Sequence, residues 1–114
     1  MNWNQIDNEE IINTIIETSK EKPVLIFKHS TRCSISSMAL NRLTRSWDEE
    51  EMAVISPYFL DLISYRGISH KIAEVFNIQH QSPQILLIKD GKSIYDTSHM
   101  SISYSDLKSQ LASI

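Results

Sequence analysis

The chain has 114 residues, of which 41% are hydrophobic and 22% are charged, and its formal net charge is −3. These values are typical of one globular domain with its own core, so we expect residues 1–114 to form a single domain. The dispersed lysines and arginines and the acidic balance argue against nucleic acid or an anionic membrane as the main partner. No stretch resembles a signal peptide or is long enough to span a membrane. One cysteine without an export signal favours the cytoplasm.

The first half of the chain is predicted to alternate helices with strands. Asp7 and Glu10 have the spacing of a capping box, and an isoleucine stripe behind them predicts a helix over residues 8–20. Residues 24–28 (VLIFK) read as a short buried strand. Helical spacing of apolar residues then runs from about residue 34 to residue 47. The acidic run that follows, residues 48–51, is interpreted as a solvated turn. Whether a short strand forms around residues 3–6, before the first helix, is left open.

The second half continues the alternation and ends in a hairpin. The predicted elements are a strand over 57–63, a helix over 68–76, strands over 84–89 and 92–97, and a helix over 103–113. Asp90-Gly91 between the last two strands is a type I′ turn signal, because glycine accepts a positive φ. The order predicts an α/β fold with a mixed central sheet of four to five strands and helices on both faces. We expect the aromatic residues to pack in the core (Trp47, Phe59, Phe76) or to anchor the N-terminus (Trp3).

Cys33 is the only cysteine, and it lies just after the predicted strand and at the start of the next helix. Reactive groups gather at the carboxyl ends of strands in such sheets. At a helix start the sulfur is expected to accept hydrogen bonds from the amides of Ile35 and Ser36, and the helix dipole favours a negative charge. Arg32, with Lys28 or His29, would add positive potential. These conditions favour the nucleophilic thiolate over a passive buried cysteine.

The sequence around Cys33 distinguishes several kinds of cysteine chemistry. A phosphatase-like loop needs an arginine six residues after the cysteine, where Ala39 stands. A cysteine hydrolase needs a base such as His80 or His99, and neither has a recognisable context. None of the histidines has metal-ligand spacing to Cys33, so no metal site is predicted. Thiol–disulfide exchange is favoured, because it needs only an accessible thiolate beside a groove for its partner.

The order of elements and the cysteine at a strand-to-helix turn resemble the thioredoxin fold. That resemblance implies that Pro83, which precedes a hairpin strand, is cis and lies beside the thiol. It also implies that residues 33–36 (CSIS) correspond to a C-x-x-C site whose second cysteine has become Ser36.

A closer resemblance covers nearly the whole chain. The sequence is similar to the bacillithiol system redox-active proteins, the YtxJ-like monothiol bacilliredoxins, through blocks that occur in the family's order: TRCSIS (31–36), RGIS (66–69), IAE (72–74), HQSPQ (80–84) and SH (98–99). Two positions depart from the pattern, since Ser34 and Gly67 stand where prolines are common. A serine at position 34 is expected to make the first helical turn less rigid without removing the nucleophile.

The family resemblance implies a function and a set of site residues. It implies a cytoplasmic oxidoreductase that removes bacillithiol from protein mixed disulfides through Cys33, with bacillithiol as thiol co-substrate and no tightly bound cofactor. Its expected partners are bacillithiolated client proteins and a low-molecular-weight thiol. The residues implied around Cys33 are Thr31, Arg32, Ser36, Ser82 and Pro83 for substrate binding, and His80 and Arg66 for tuning the pKa of the thiol. A monothiol iron–sulfur carrier and a passive thioredoxin-like adaptor remain alternatives.

Overall fold

The structure is a computed structural model that describes residues 2–114, and its centre is one mixed sheet. Its strands are β1 (Asn4–Gln5), β2 (Val24–His29), β3 (Ser56–Asp61), β4 (Gln84–Lys89) and β5 (Lys92–Ser98), in the spatial order β1-β3-β2-β4-β5. The first three run parallel to one another. On the other side of β2, β4 pairs with β2 in the antiparallel direction, and β5 pairs antiparallel with β4. The predicted thioredoxin-like α/β fold is confirmed, and the short first strand that the sequence left open is present.

Four helices cover the two faces of the sheet. They are α1 (Glu10–Thr18), α2 (Ser34–Ser46), α3 (Arg66–Val75) and α4 (Tyr104–Ala112). The side chains of β2 alternate between the faces, as a strand requires. Val24 and Ile26 pack with α1 and α3 on one face, and Leu25 and Phe27 pack with α2 and α4 on the other. The sheet is therefore the boundary between two apolar clusters.

The hairpin turn has the predicted backbone geometry, whereas the predicted helix cap does not exist. Asp90 and Gly91 have φ values of 51° and 75°, as a type I′ turn demands. At the start of α1, by contrast, the N-cap residue is Glu9, and its side chain caps nothing. The capping box predicted from Asp7 and Glu10 was therefore wrong. The helix is held instead by its apolar stripe, in which Ile12 and Ile15 are buried.

The acidic run after α2 is more structured than a solvated turn. Asp48 Oδ1 accepts hydrogen bonds from the amides of Glu50 and Glu51, and a 3₁₀ turn follows over Glu51–Val54. The Glu51 carboxylate pairs with Lys108 and accepts a hydrogen bond from the Tyr104 hydroxyl. This run therefore ties the loop before β3 to α4.

Aromatic packing fixes the N-terminal segment of the chain against the α2 face of the sheet. Trp3 lies within aromatic contact of Phe27, Trp47 and Phe59, with ring centroids 5.8–6.4 Å apart. The expected N-terminal anchor is thus present. Phe76 is buried as expected, and the rings of Trp47 and Phe59 are only partly buried. Within residues 2–114 no helix has both the length and the apolar character that crossing a bilayer requires.

The sheet register brings three loops to one edge. The last residue of β2, His29, lies opposite Asp61 of β3, and its neighbour Lys28 lies opposite Gln84, the first residue of β4. The segments after β2, after β3 and before β4 therefore emerge side by side. Cys33, Arg66 and Pro83 each lie within five residues of these strand ends.

Candidate active site at the edge of the sheet

Cys33 is the N-cap residue of α2 and is partly exposed. Its amide donates to the carbonyl of Ser30 at 3.2 Å, which closes the turn between β2 and the helix. Its backbone is extended, with φ −113° and ψ 118°, and Ser34 is the first helical residue. The sulfur accepts no capping hydrogen bond, so the bonds expected from the amides of Ile35 and Ser36 are absent. A capping residue's side chain reaches back toward the helix only in suitable rotamers, and here the sulfur does not do so. The thiol is therefore positioned by the turn and the helix start alone.

Ser36 holds the first turn of α2 to the end of β2. Its side chain is fully buried, and its hydroxyl lies 2.7 Å from His29 Nδ1 and accepts from the Ser30 amide at 3.0 Å. Burial lowers the pKa of His29, and the nearby Asp61 carboxylate opposes that change. Neutral His29 can accept a hydrogen bond from the Ser36 hydroxyl at Nδ1. The hydroxyl, the ring nitrogen and the Ser30 amide then each have a hydrogen-bond partner. We therefore expect Ser36 to position the helix start, because its hydroxyl is fully buried and already bonded to His29 and to the Ser30 amide.

Ser82 and Pro83 lie before β4 and are joined by a cis peptide bond. Pro83 is buried, and its carbonyl accepts a hydrogen bond from the His99 amide at 3.0 Å. The backbone amide and carbonyl of Ser82 have no hydrogen-bond partner in the described chain, and its buried hydroxyl has none either. Ser82 therefore offers a short free backbone edge at the end of the sheet where Cys33 lies.

The loop that carries Ser82 is fixed by a buried glutamine. Gln84 donates from Nε2 to the carbonyl of Gln79 at 3.0 Å and accepts at Oε1 from the amide of Gln81 at 3.3 Å. Gln84 itself is fully buried at the start of β4. These bonds satisfy a buried amide and hold the loop in one shape.

His80 contacts a buried lysine on the other face of the sheet. Lys28 is fully buried; its Nζ donates to the Ser69 carbonyl at 3.2 Å and lies 3.3 Å from His80 Nδ1. The Ser69 hydroxyl is also 3.3 Å from that nitrogen. Burial lowers the pKa of Lys28 to about 8. Burial also lowers the pKa of His80, and the charges of Lys28, His70 and Arg66 lower it further.

The structure brings most of the predicted site residues to one edge but does not join them in one cluster. Thr31 and Arg32 are exposed in the turn before Cys33, and Arg66 is the exposed first residue of α3. Lys28 and His29 were expected to add positive potential near the thiol. They point to opposite faces of the sheet, and burial disfavours the charged form of both. Among residues 2–114, no group of three or more His, Cys, Asp or Glu side chains could hold a metal ion.

Some residues with a structural role at this edge were not identified from the sequence. They are Ser69 and Gln84, which are buried polar residues, and His70, whose ring lies 5.9 Å from that of His80. Ser69 lies one position after Ile68 in the apolar helical stripe, which was a usable signal that it faces the sheet. For Gln84 the signal was its place at the first residue of a strand that is otherwise entirely apolar up to Ile88.

Comparison with known proteins agrees with this geometry. A family profile described as "Monothiol bacilliredoxin BrxC" matches residues 4–107. A solved thioredoxin-fold protein described as a candidate oxidoreductase shares 27% identity at a TM-score of 0.79, over 95% of this chain and 91% of that one.

Two thioredoxins are similar in fold. That of Malassezia sympodialis has 18% identity and a TM-score of 0.74, over 98% of this chain and 90% of that one. Mitochondrial thioredoxin 3 of Saccharomyces cerevisiae has 18% identity and a TM-score of 0.73, over 98% of this chain and 95% of that one. The family match spans most of the chain and the thioredoxin fold is present, so the chain belongs to the monothiol bacilliredoxin family.

Proposed function

We propose that this protein is a thiol–disulfide oxidoreductase that removes bacillithiol from protein mixed disulfides through Cys33, and that it does so in the cytoplasm. One observation carries the proposal: the single cysteine of a monothiol bacilliredoxin chain is partly exposed at a helix start, at the sheet edge where Ser82 has free backbone groups. A thiol in this position needs no second cysteine to attack a disulfide.

The surroundings of Cys33 suit a protein client. The free amide and carbonyl of Ser82 can pair with an extended segment of another chain, as an added strand does. Ile35 and Met38, in the first two turns of α2, are 41% and 55% exposed. Exposed apolar side chains beside a reactive group favour contact with another protein. The exposed Thr31 and Arg32 would line the same approach to the sulfur.

The proposed step transfers the bacillithiol group. The Cys33 thiolate attacks the bacillithiol sulfur of the mixed disulfide, a new S–S bond forms between Cys33 and bacillithiol, and the client leaves as a thiolate that takes a proton from water. No electrons are lost or gained overall, because one disulfide replaces another. A second bacillithiol then attacks the adduct, which restores Cys33 and releases oxidised bacillithiol as a disulfide.

Mass spectrometry tests this proposal directly. Reduced protein mixed with a bacillithiolated client should gain the bacillithiol mass on the peptide that contains Cys33, while the client loses it. The matched control is Cys33→Ser, which keeps the size of the side chain and removes the nucleophile. Equal client reduction by the serine variant, or client reduction without an adduct on Cys33, would overturn the proposal.

A further inference from the structure

Four basic side chains gather on the α3 side of this sheet edge. Lys28 and His80 are 3.3 Å apart, the rings of His80 and His70 are 5.9 Å apart, and Arg66 lies one helical turn before His70 on α3. Arg66 and His70 are exposed, His80 is partly buried and Lys28 is fully buried. We call these four residues the basic cluster.

No ion pair among residues 2–114 involves the basic cluster. The ion pairs of the described chain are Lys20 with Glu17 and Lys108 with Glu51, both elsewhere. Asp61, at the same edge, accepts hydrogen bonds from Ser64 and acts on His29. No ion pair therefore offsets the positive charges of Lys28 and Arg66, which favours binding of an anion near them.

The cluster also presents hydrogen-bond donors. An ammonium group has no acceptor, so His80 Nδ1 must accept from Lys28, and Nε2 carries the ring hydrogen. The Arg66 guanidinium has only donors, in the planar arrangement that matches a carboxylate. Arg66 also begins α3, whose N-cap residue Tyr65 makes no side-chain capping bond, so the positive end of that helix dipole lies at the same place.

The basic cluster is at the edge where the sulfur lies. The loop before α3 follows β3, whose last residue is opposite His29, and His80 is three residues before Pro83. The loop that carries Cys33 and the loops that carry Arg66 and His80 therefore leave the sheet at the same end.

We propose that Arg66, His70 and His80 form an anion subsite that binds the carboxylates of the low-molecular-weight thiol while its sulfur reacts at Cys33. The inference rests on the proposed function and deepens it. Bacillithiol carries a malyl group with two carboxylates, which is the chemical class that a cluster of donors and positive charges accepts. Lys28 supports the subsite indirectly, because its hydrogen bond to His80 Nδ1 fixes the tautomer of that ring.

Rate measurements with two substrates test the subsite. One client peptide is prepared as a mixed disulfide with bacillithiol and as one with uncharged 2-mercaptoethanol. Arg66→Gln should slow transfer from the bacillithiol disulfide about five- to tenfold, as expected for one charge-assisted contact at an exposed site, and leave the uncharged substrate within about twofold. Lys71→Gln is the matched control, because Lys71 follows His70 on α3 but lines a cavity with Glu9 and Glu10 of the α1 region. Equal losses on both substrates, or an equal loss from Lys71→Gln, would overturn the subsite.

A binding measurement separates this inference from the proposed function. L-Malate is titrated into the Cys33→Ser protein, and the histidine ring protons are followed by NMR as the pH is varied. Malate should shift the ring-proton signals of His70 and His80 and raise the pKa of His80, and less so in a protein that also carries Arg66→Gln. If malate binds in this way but no bacillithiol reaches Cys33 in the wild type, the proposed function fails and the subsite stands. If bacillithiol and 2-mercaptoethanol transfer equally well and malate leaves both histidines unchanged, the subsite fails and the proposed function stands.

Discussion

Ser36 shows at the scale of one residue how a site with a single thiol is built. The position that holds a second cysteine in a C-x-x-C site is filled here by a buried hydroxyl bonded to His29 and to the Ser30 amide. Nearness in sequence predicted that Ser36 would lie close to Cys33. Its bond to His29 was not predictable, because that contact depends on how the end of β2 meets the first turn of α2.

Removing the Ser36 hydroxyl should destabilise the fold. Ser36→Ala leaves the buried Ser30 amide without its partner and removes the bond to His29, so the free energy of unfolding should fall by about 1–3 kcal/mol. Ser37→Ala is the matched control, because the Ser37 side chain makes no hydrogen bond in the described chain and should change stability by less than about 0.5 kcal/mol. Urea unfolding of both variants measures the difference. Equal effects would show that the buried bonds contribute nothing.

The start of α2 is the element that decides where the thiol points. Its sequence lacks the proline that is common at position 34 in the family, yet the backbone already has the shape that a proline needs. Cys33 is extended, with φ −113° and ψ 118°, close to the conformation preferred before proline. Ser34 is the first helical residue, where a missing N–H removes no helical bond.

Ser34→Pro should therefore stabilise the protein. The ring restricts the unfolded chain more than the folded one, so the free energy of unfolding should rise by about 0.4–1 kcal/mol. Denaturant unfolding monitored by circular dichroism measures it, and Ser46→Pro, at the last residue of the same helix, should instead be destabilising. A loss of stability in Ser34→Pro would mean that the amide of Ser34 has a role that the structure does not show.

Hydrophobic periodicity was enough to predict the main elements, within a few residues at each end. Local capping was less predictable: Glu9 at the start of α1 has helical dihedrals, φ −67° and ψ −26°, and no side-chain bond, so the Asp7 pattern had no structural counterpart. The 3₁₀ turn His99–Ser101 had no sequence signal either. His99 begins it with a φ of 55°, a conformation for which glycine is the usual marker.

At the scale of the whole molecule, buried polar groups lie on both faces of the sheet. His29 is on the α2 face and Lys28 on the α3 face, whereas the strand predicted from the sequence ended at Lys28 and left His29 outside it. Alternation along a longer predicted strand would have separated them, but the partners of Lys28 depend on α3 and on the loop before β4. Those contacts link segments 41 and 52 residues apart, beyond the reach of local patterns.

The burial of Lys28 predicts how stability varies with alkaline pH. Its pKa is lowered from 10.5 to about 8 in the folded chain, so between these values the unfolded chain holds a proton that the folded chain has released. The free energy of unfolding should therefore rise as the pH increases from about 8. Above about pH 10 the raised pKa values of Tyr95 and Tyr104 act in the opposite direction, so the measurement belongs below that pH.

Urea unfolding at several pH values between about 8 and 9.5, for the wild type and for Lys28→Met, checks this. The slope of unfolding free energy against pH should be positive in the wild type and smaller in the variant. The same slope in both proteins would show that Lys28 does not titrate in this range.

The central claim is that one thiol, Cys33, carries the reaction and that nothing else in the chain can resolve its adduct. Counting released client thiols without added bacillithiol tests it most directly. The account predicts a burst of one client thiol per protein molecule, a stable bacillithiol adduct on Cys33, and turnover only after bacillithiol is added. Ser36→Cys should instead expel bacillithiol and form an internal disulfide, with a loss of two hydrogens in the intact mass. Continued turnover of the wild type without any added thiol would contradict the account.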